Sequence, residues 1–172
     1  MVSIVRATEN DIELLVELSR QTFLESHGHS ASKEDIDKYV DEKYNTEVLK
    51  QELADENNIY HLLYYNNKAA GFSKIIFNSP YINAAEKNIT KLERIYLLAA
   101  FHDLRLGGQL FEYNIQLMKS NNQSGVWLYV WKENQRAIQF YTKKGFVIIG
   151  SHDFKISDNH SNPNHQLLLR FE

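Results

Sequence analysis

The chain has 172 residues, a formal net charge of −3 and a sequence pI near 6.2; that is the length of one domain, and the charge gives no electrostatic case for nucleic acid or an anionic membrane as partner. Hydrophobic residues make up 43% and charged residues 24%, the ordinary mix of a soluble globular protein. There is no cysteine, which excludes disulfides, thiolate metal sites and a cysteine nucleophile together.

The start, MVSIVRATENDIELL, lacks the basic head and unbroken apolar run of a signal peptide, and no stretch approaches the roughly 18 apolar residues of a membrane span. A cytoplasmic location is the expectation. Ser3 to Arg6 reads as a short strand. Thr8 then opens a helix, with Asp11 placed for a capping box, and Ile12, Leu15, Val16 and Phe23 recur at helical spacing. A second helix is predicted from Ser32, with Asp35 three residues on and Ile36, Tyr39 and Val40 as its apolar stripe. Asn45-Thr46 breaks and recaps, and Val48, Leu49 and Leu53 carry the pattern onward.

The period then changes. Ile59 to Tyr65 and Ala69 to Phe77 are β-rich around Asn66-Asn67, a two-residue hairpin signal because Asn tolerates positive φ. Gly71, inside the second of these strands, marks a bulge or a close backbone approach. Asn78 to Thr90, containing Pro80, reads as a loop. A strand over Leu92–Leu98, a helix over Gly107–Lys119 and a strand over Val126–Trp131 follow. A helix opens at Asn134 and stops at Gly145, a natural residue for a helix end. Phe146 to Phe154 and His165 to Phe171 read as strands around a polar loop. With no repeat, low-complexity tract or linker, residues 1–172 form a single mixed α/β domain.

Two segments carry chemistry. WLYVWKENQRAIQFYTKKGF, Trp127 to Phe146, resembles the GNAT acetyltransferase signature: a strand, an Asn, Ala-Ile-x-Phe-Tyr, then Gly-Phe. LERIYLLAAFHDLRLGGQLF, Leu92 to Phe111, is similar to the preceding motif of that superfamily, a strand that ends in a pyrophosphate loop and a helix. Order and spacing both match, and the helical start followed by a hairpin extends the resemblance over nearly the whole chain. The tail GSHDF, Gly150 to Phe154, and the stretch QTFLESHGHSASKEDIDKYV resemble the bacterial spermidine/spermine N-acetyltransferase branch.

The resemblance implies a GNAT fold, a central and mostly antiparallel sheet with a splayed parallel pair, flanked by helices. It also implies an acetyl-CoA cosubstrate lying in the cleft between the splayed strands. The backbone at Leu97 or Leu98 would bond the acetyl oxygen, a pre-placed donor for developing negative charge. His102, Asp103, Leu104, Arg105, Leu106 and Gly107, with Gly108 beside them, occupy the pyrophosphate-loop slot, where backbone N–H groups and a helix N-terminus converge on an anion. The loop departs from the family pattern. His102 stands where Arg or Gln is usual, and Arg105 stands where the middle glycine is usual. Arg105 either bonds phosphate or crowds a backbone made for glycine, and Asp103 would repel the anion if it pointed inward.

The resemblance casts Tyr141 as the acid that protonates the departing thiolate and Asn134 as a contact to the pantetheine arm, a role compatible with capping its helix. Glu93 is the candidate general base, relaying the amine proton through water, with a solvent-facing glutamate as the alternative. Glu25, His27 and His29 are outside candidates for the base, with an exposed helix end as the alternative, and Glu25, His27 and Glu93 are candidate acceptor-binding residues. Glu34 and Asp35 could attract a cation. Trp127 and Trp131 read as core and cleft wall. The seven histidines show no ligand spacing, so no metal site is expected. The acceptor is a small-molecule amine, with spermidine favoured by branch resemblance; a protein N-terminus, a lysine or an aminoglycoside is an alternative, as is a non-catalytic acyl-CoA sensor. A homodimer through the last strands is compatible with the resemblance, and the polar Ser157–Asn164 segment does not decide it.

Overall fold

A computed structural model describes all 172 residues. In chain order the elements are β1 (Val2–Arg6), α1 (Ile12–His27), α2 (Lys33–Lys43), α3 (Thr46–Ala54), β2 (Asn58–Tyr65), β3 (Lys68–Ile76), β4 (Thr90–Leu97), α4 (Leu106–Ser120), β5 (Gly125–Trp131), α5 (Gln135–Lys143), β6 (Val147–Ser157) and β7 (His160–Arg170). The local signals explain the starts. Thr8 and Asp11 close the capping box around a short 3-10 turn that leads into α1. Ser32 accepts from Asp35 N at the head of α2, and Asn45 accepts from Val48 N at the head of α3. Asn66 and Asn67 both take left-handed φ, 49° and 63°, which is the twist a tight hairpin requires.

The seven strands make one sheet in the order β1-β2-β3-β4-β5-β7-β6. Helices α1 and α3 cover one face of its first half, burying Leu15, Leu18 and Leu49 against Tyr60, Leu62 and Phe72. Helices α4 and α5 cover the opposite face, where Phe111, Ile115, Met118 and Tyr141 pack on Leu92, Val126, Leu128 and Val130. Strand alternation therefore turns Trp127, Tyr129 and Trp131 of β5 toward the α1–α3 side.

Only β4 and β5 run parallel, and they pair only at Thr90 with Val126 and Lys91 with Trp127. Beyond Lys91 the two strands diverge. This divergence opens the cleft on which the site is built.

The polar tail departs from the sequence expectation. The predicted loop over residues 155–164 is strand: β6 runs to Ser157 and β7 begins at His160, with only Asp158 and Asn159 between them. Of its polar residues, Asn162 and Asn164 point inward. Asn162, 3% exposed, donates to Ser30 Oγ at 2.8 Å and meets His160 Nε2 at 2.9 Å. Ile156 is buried among Phe23, Ile36 and Tyr39, so the hairpin is held against α1 and α2.

Candidate active site

The upper half of β4 forms one wall of the cleft. Leu98 N donates to Ala70 O at 2.9 Å, and Gly71 stands opposite Leu97. In an antiparallel ladder bonded and non-bonded pairs alternate, so Leu97 turns its N–H and C=O away from β3 and into the cleft. The Leu98 N–H is already engaged by Ala70, whereas the Leu97 N–H has no partner on β3. Gly71 makes this register attainable. A Cβ there would lie 2.3 Å from Tyr96 O and 3.1 Å from Leu97 Cα, closer than atoms pack.

The loop after β4 keeps a glycine-like path without the glycines. Asp103 and Arg105 take left-handed φ of 68° and 57°, and Arg105 is the N-cap of α4. The first N–H groups of α4 have no intrahelical partner. Those of Leu106, Gly107 and Gly108 are thus free for an anion, and nothing lies within 4 Å of where a Gly108 Cβ would stand. The Leu106 side chain, 1% exposed, belongs to the core with Leu63, Ala70 and Leu110, so only its backbone can serve a ligand. Leu104 is exposed at the loop tip.

Arg136, in the first turn of α5, escaped the sequence reading. Its guanidinium reaches across the cleft mouth to Asp103 Oδ1 at 3.2 Å and to His102 Nδ1 at 3.3 Å. Asp103 is therefore drawn toward a cation. A guanidinium only donates, so His102 Nδ1 accepts, and its Nε2–H must donate to Leu97 O, 3.1 Å away. His102 thus covers the Leu97 carbonyl and leaves the Leu97 N–H. The legible signal for Arg136 was its place two residues after Asn134, on the helix end that faces the loop.

On the other wall, Asn134 caps α5 by accepting from Ala137 N at 3.2 Å, which leaves its amide NH2 for a ligand. Tyr141 is 8% exposed among Phe111, Phe140 and Phe146. Burial raises its phenol above the ordinary value, so the hydroxyl stays protonated throughout the physiological range.

The third wall carries charge. Glu93 is the extra residue of a bulge between Arg94, opposite Lys74, and Leu92, opposite Ile75. Its Oε2 lies 2.5 Å from Lys74 Nζ and its Oε1 3.8 Å from Lys91 Nζ. Burial alone would raise the Glu93 carboxyl, but Lys74, followed by Arg94 and Lys91, outweighs burial and holds it below the usual carboxylate range. Both oxygens of this carboxylate thus face a lysine ammonium. Glu25 is also engaged: it accepts from Ala99 N at 2.7 Å and from Gln21 Nε2 at 3.1 Å, capping the turn after β4. Glu34 and Asp35 sit in the first turn of α2, where acidic groups favour the helix N-terminus.

His27, the last residue of α1, lies across the open end of the splay. Its ring is 6.3 Å from that of Tyr96 on β4 and 5.4 Å from that of Trp131 on β5, and it stacks on Phe23 at 5.1 Å. Burial, reinforced by His29, lowers its pKa to about 4. No group of three or more His, Cys, Asp or Glu side chains is placed to hold a metal ion.

A cleft between diverging parallel strands, closed below by a helix N-terminus with free N–H groups, suits a long anionic thioester cosubstrate; the acyltransferase class fits it. The model of the acetyltransferase (GNAT) family matches residues 13–146, and the chain belongs to that family. It is an acetyl-CoA-dependent N-acetyltransferase. An uncharacterised N-acetyltransferase of Lactobacillus delbrueckii subsp. lactis is 30% identical over 92% of this chain and 91% of its own length. A spermidine N(1)-acetyltransferase of Thermoplasma acidophilum is 26% identical over 86% of this chain and 89% of its own. Among solved structures, a PaiA N-acetyltransferase of Thermoplasma acidophilum in complex with coenzyme A superposes with a TM-score of 0.81 at 20% identity, covering 99% of both chains. The ribosomal-protein-S18-alanine N-acetyltransferase of Escherichia coli gives 0.72 at 16%, covering 99% of this chain and 94% of its own.

Proposed function

We propose that the protein transfers the acetyl group of acetyl-CoA directly to a small primary amine held with it in one ternary complex. The observation that carries this reading is the Leu97 N–H, turned into the cleft with the α4 N-terminus below it and Tyr141 on the far wall. The Leu97 N–H bonds the acetyl oxygen as negative charge builds there. Leu106, Gly107 and Gly108 N–H groups take the pyrophosphate, with Arg105 beside them. The Asn134 amide NH2 meets the pantetheine arm, and the Tyr141 hydroxyl gives its proton to the departing sulfur.

Spermidine is the first acceptor to try, because the Thermoplasma acidophilum relative is a spermidine N(1)-acetyltransferase. The local charge supports a simpler amine equally well, since Glu93 is paired with Lys74 and Glu25 caps Ala99. Calorimetry with acetyl-CoA, followed by titration of spermidine and then benzylamine with CoA release monitored, tests the reading. Binding followed by release is expected. In Tyr141→Phe, release falls at least about 100-fold with acetyl-CoA affinity kept within twofold. Binding without release to any of a broad panel of amines would make the protein an acyl-CoA-binding module.

A further inference from the structure

The proton-accepting group on the amine side is assigned above to no residue that is free to act. Glu93 lies on β4 beyond its last pair with β5, and Lys74 already holds it. His27 is differently placed. Ser26 Oγ lies 2.8 Å from Thr22 O and 2.7 Å from His27 Nδ1. A carbonyl oxygen carries no proton, so the 2.8 Å contact to Thr22 O is a hydrogen bond when the hydroxyl hydrogen lies between Ser26 and Thr22. The Ser26 oxygen then has only lone pairs to offer His27, and His27 Nδ1 must be the donor. That leaves the Nε2 lone pair as the basic one. It has no hydrogen-bond partner in the protein and is not among the occluded polar atoms. The ring lies between Tyr96 of β4 and Trp131 of β5, at the end where these strands have diverged.

We infer that His27 Nε2 takes the proton from the attacking amine and that Ser26 is the positioning residue that fixes the required tautomer. The inference rests on the acetyl-transfer reading above. The amine nitrogen bonds to the acetyl carbon and its proton passes to His27 Nε2. The carbon–sulfur bond then breaks, and the sulfur takes the Tyr141 hydroxyl proton. Water returns the proton from His27 to the Tyr141 oxygen, so both residues end as they began.

Nitrogen NMR of the protein labelled with 15N-histidine reads the tautomer without any acceptor. His27 is expected in the Nδ1–H form, the minor form of free imidazole. Ser26→Ala is expected to move it to Nε2–H, and Ser26→Thr to keep it at Nδ1–H. An Nε2–H signal from His27 in the parent protein overturns the inference even if acetylation is confirmed. With benzylamine and spermidine as acceptors, His27→Gln lowers kcat/KM about 100-fold, Glu93→Gln lowers it less, and neither changes acetyl-CoA affinity. A loss confined to Glu93→Gln also overturns it. If neither amine is acetylated, the acceptor reading has failed instead, and the tautomer still decides for or against His27.

Discussion

On the α1–α3 side of the sheet, Tyr60, Lys74 and Arg94 stand side by side across β2, β3 and β4, and each has its partners. Glu52 reaches over from α3 to accept from the Tyr60 hydroxyl and to pair with Lys74 at 3.3 Å and Arg94 at 3.6 Å. Arg94 donates to Tyr60 at 2.9 Å and lies over the Tyr44 ring at 5.0 Å. A few residues further along the same strand the pattern inverts. The Leu97 N–H faces an open cleft, Tyr141 and His27 Nε2 have no partner, and the α4 N–H groups point at nothing of their own chain. The lesson is one of position: Glu52 closes the network on Tyr60, Lys74 and Arg94, whereas the groups at the end of β4 and on the helices beside it stay open to the cleft.

The strongest way to break this contrast is to open the Glu52 network. Removing one member of a buried ion network leaves the others uncompensated and costs about 3–5 kcal/mol. Glu52→Ala is expected to do so, because Lys74 is 5% exposed and would keep only Glu93. Urea unfolding measures it. A loss under about 1 kcal/mol would mean the network is ordinary surface charge.

Acid provides the next test. His61 is 2% exposed on β2, and its Nδ1 has no partner. Burial, helped by Arg6, lowers its pKa from 6.5 to about 4. The unfolded chain therefore takes up a proton below about pH 6.5 that the folded chain refuses until about pH 4. The stability His61 contributes is complete above that window and is lost as pH falls through it, by up to about 3 kcal/mol. His27 acts in the same direction. In His61→Gln about half of the loss between pH 7 and pH 4 should vanish from unfolding curves, and an unchanged slope would show that His61 is not neutral in the fold.

These contrasts mark what one sequence can show. Helix starts were legible because the cap acts within three residues: Thr8 with Asp11, Ser32 with Asp35, Asn45 with Val48. The hairpin at Asn66-Asn67 and the close approach at Gly71 were legible for the same local reason. The two closing strands were legible, but their extension through residues 155–164 was not, because Asn162 looks like a loop residue until Ser30, far away in the chain, supplies its partner. At the site, motif spacing located the loop and helix, but charge pairing is a property of the fold. Nothing in the chain order says that Lys74 sits against Glu93, that Glu25 caps Ala99 or that Arg136 draws Asp103 aside. Each depends on strand register or on a helix end crossing the cleft.

The smallest expected effect sharpens the comparison where it is most delicate, at Arg105. A non-glycine residue in the left-handed region costs roughly 1–2 kcal/mol, while glycine costs about 0.5–1 kcal/mol in chain entropy. Arg105→Gly is thus expected to stabilise the protein by about 0.5–1 kcal/mol. If the strain is tolerated for the guanidinium's contact with phosphate, the same variant should bind acetyl-CoA about tenfold more weakly, about 1.4 kcal/mol. Thermal unfolding and calorimetry on one preparation read both. Higher stability with weaker binding means that the cleft mouth keeps a strained residue for its ligand. Higher stability with unchanged binding means that the backbone N–H groups of α4 hold the anion alone, and lower stability would show that the left-handed turn is not strained at all.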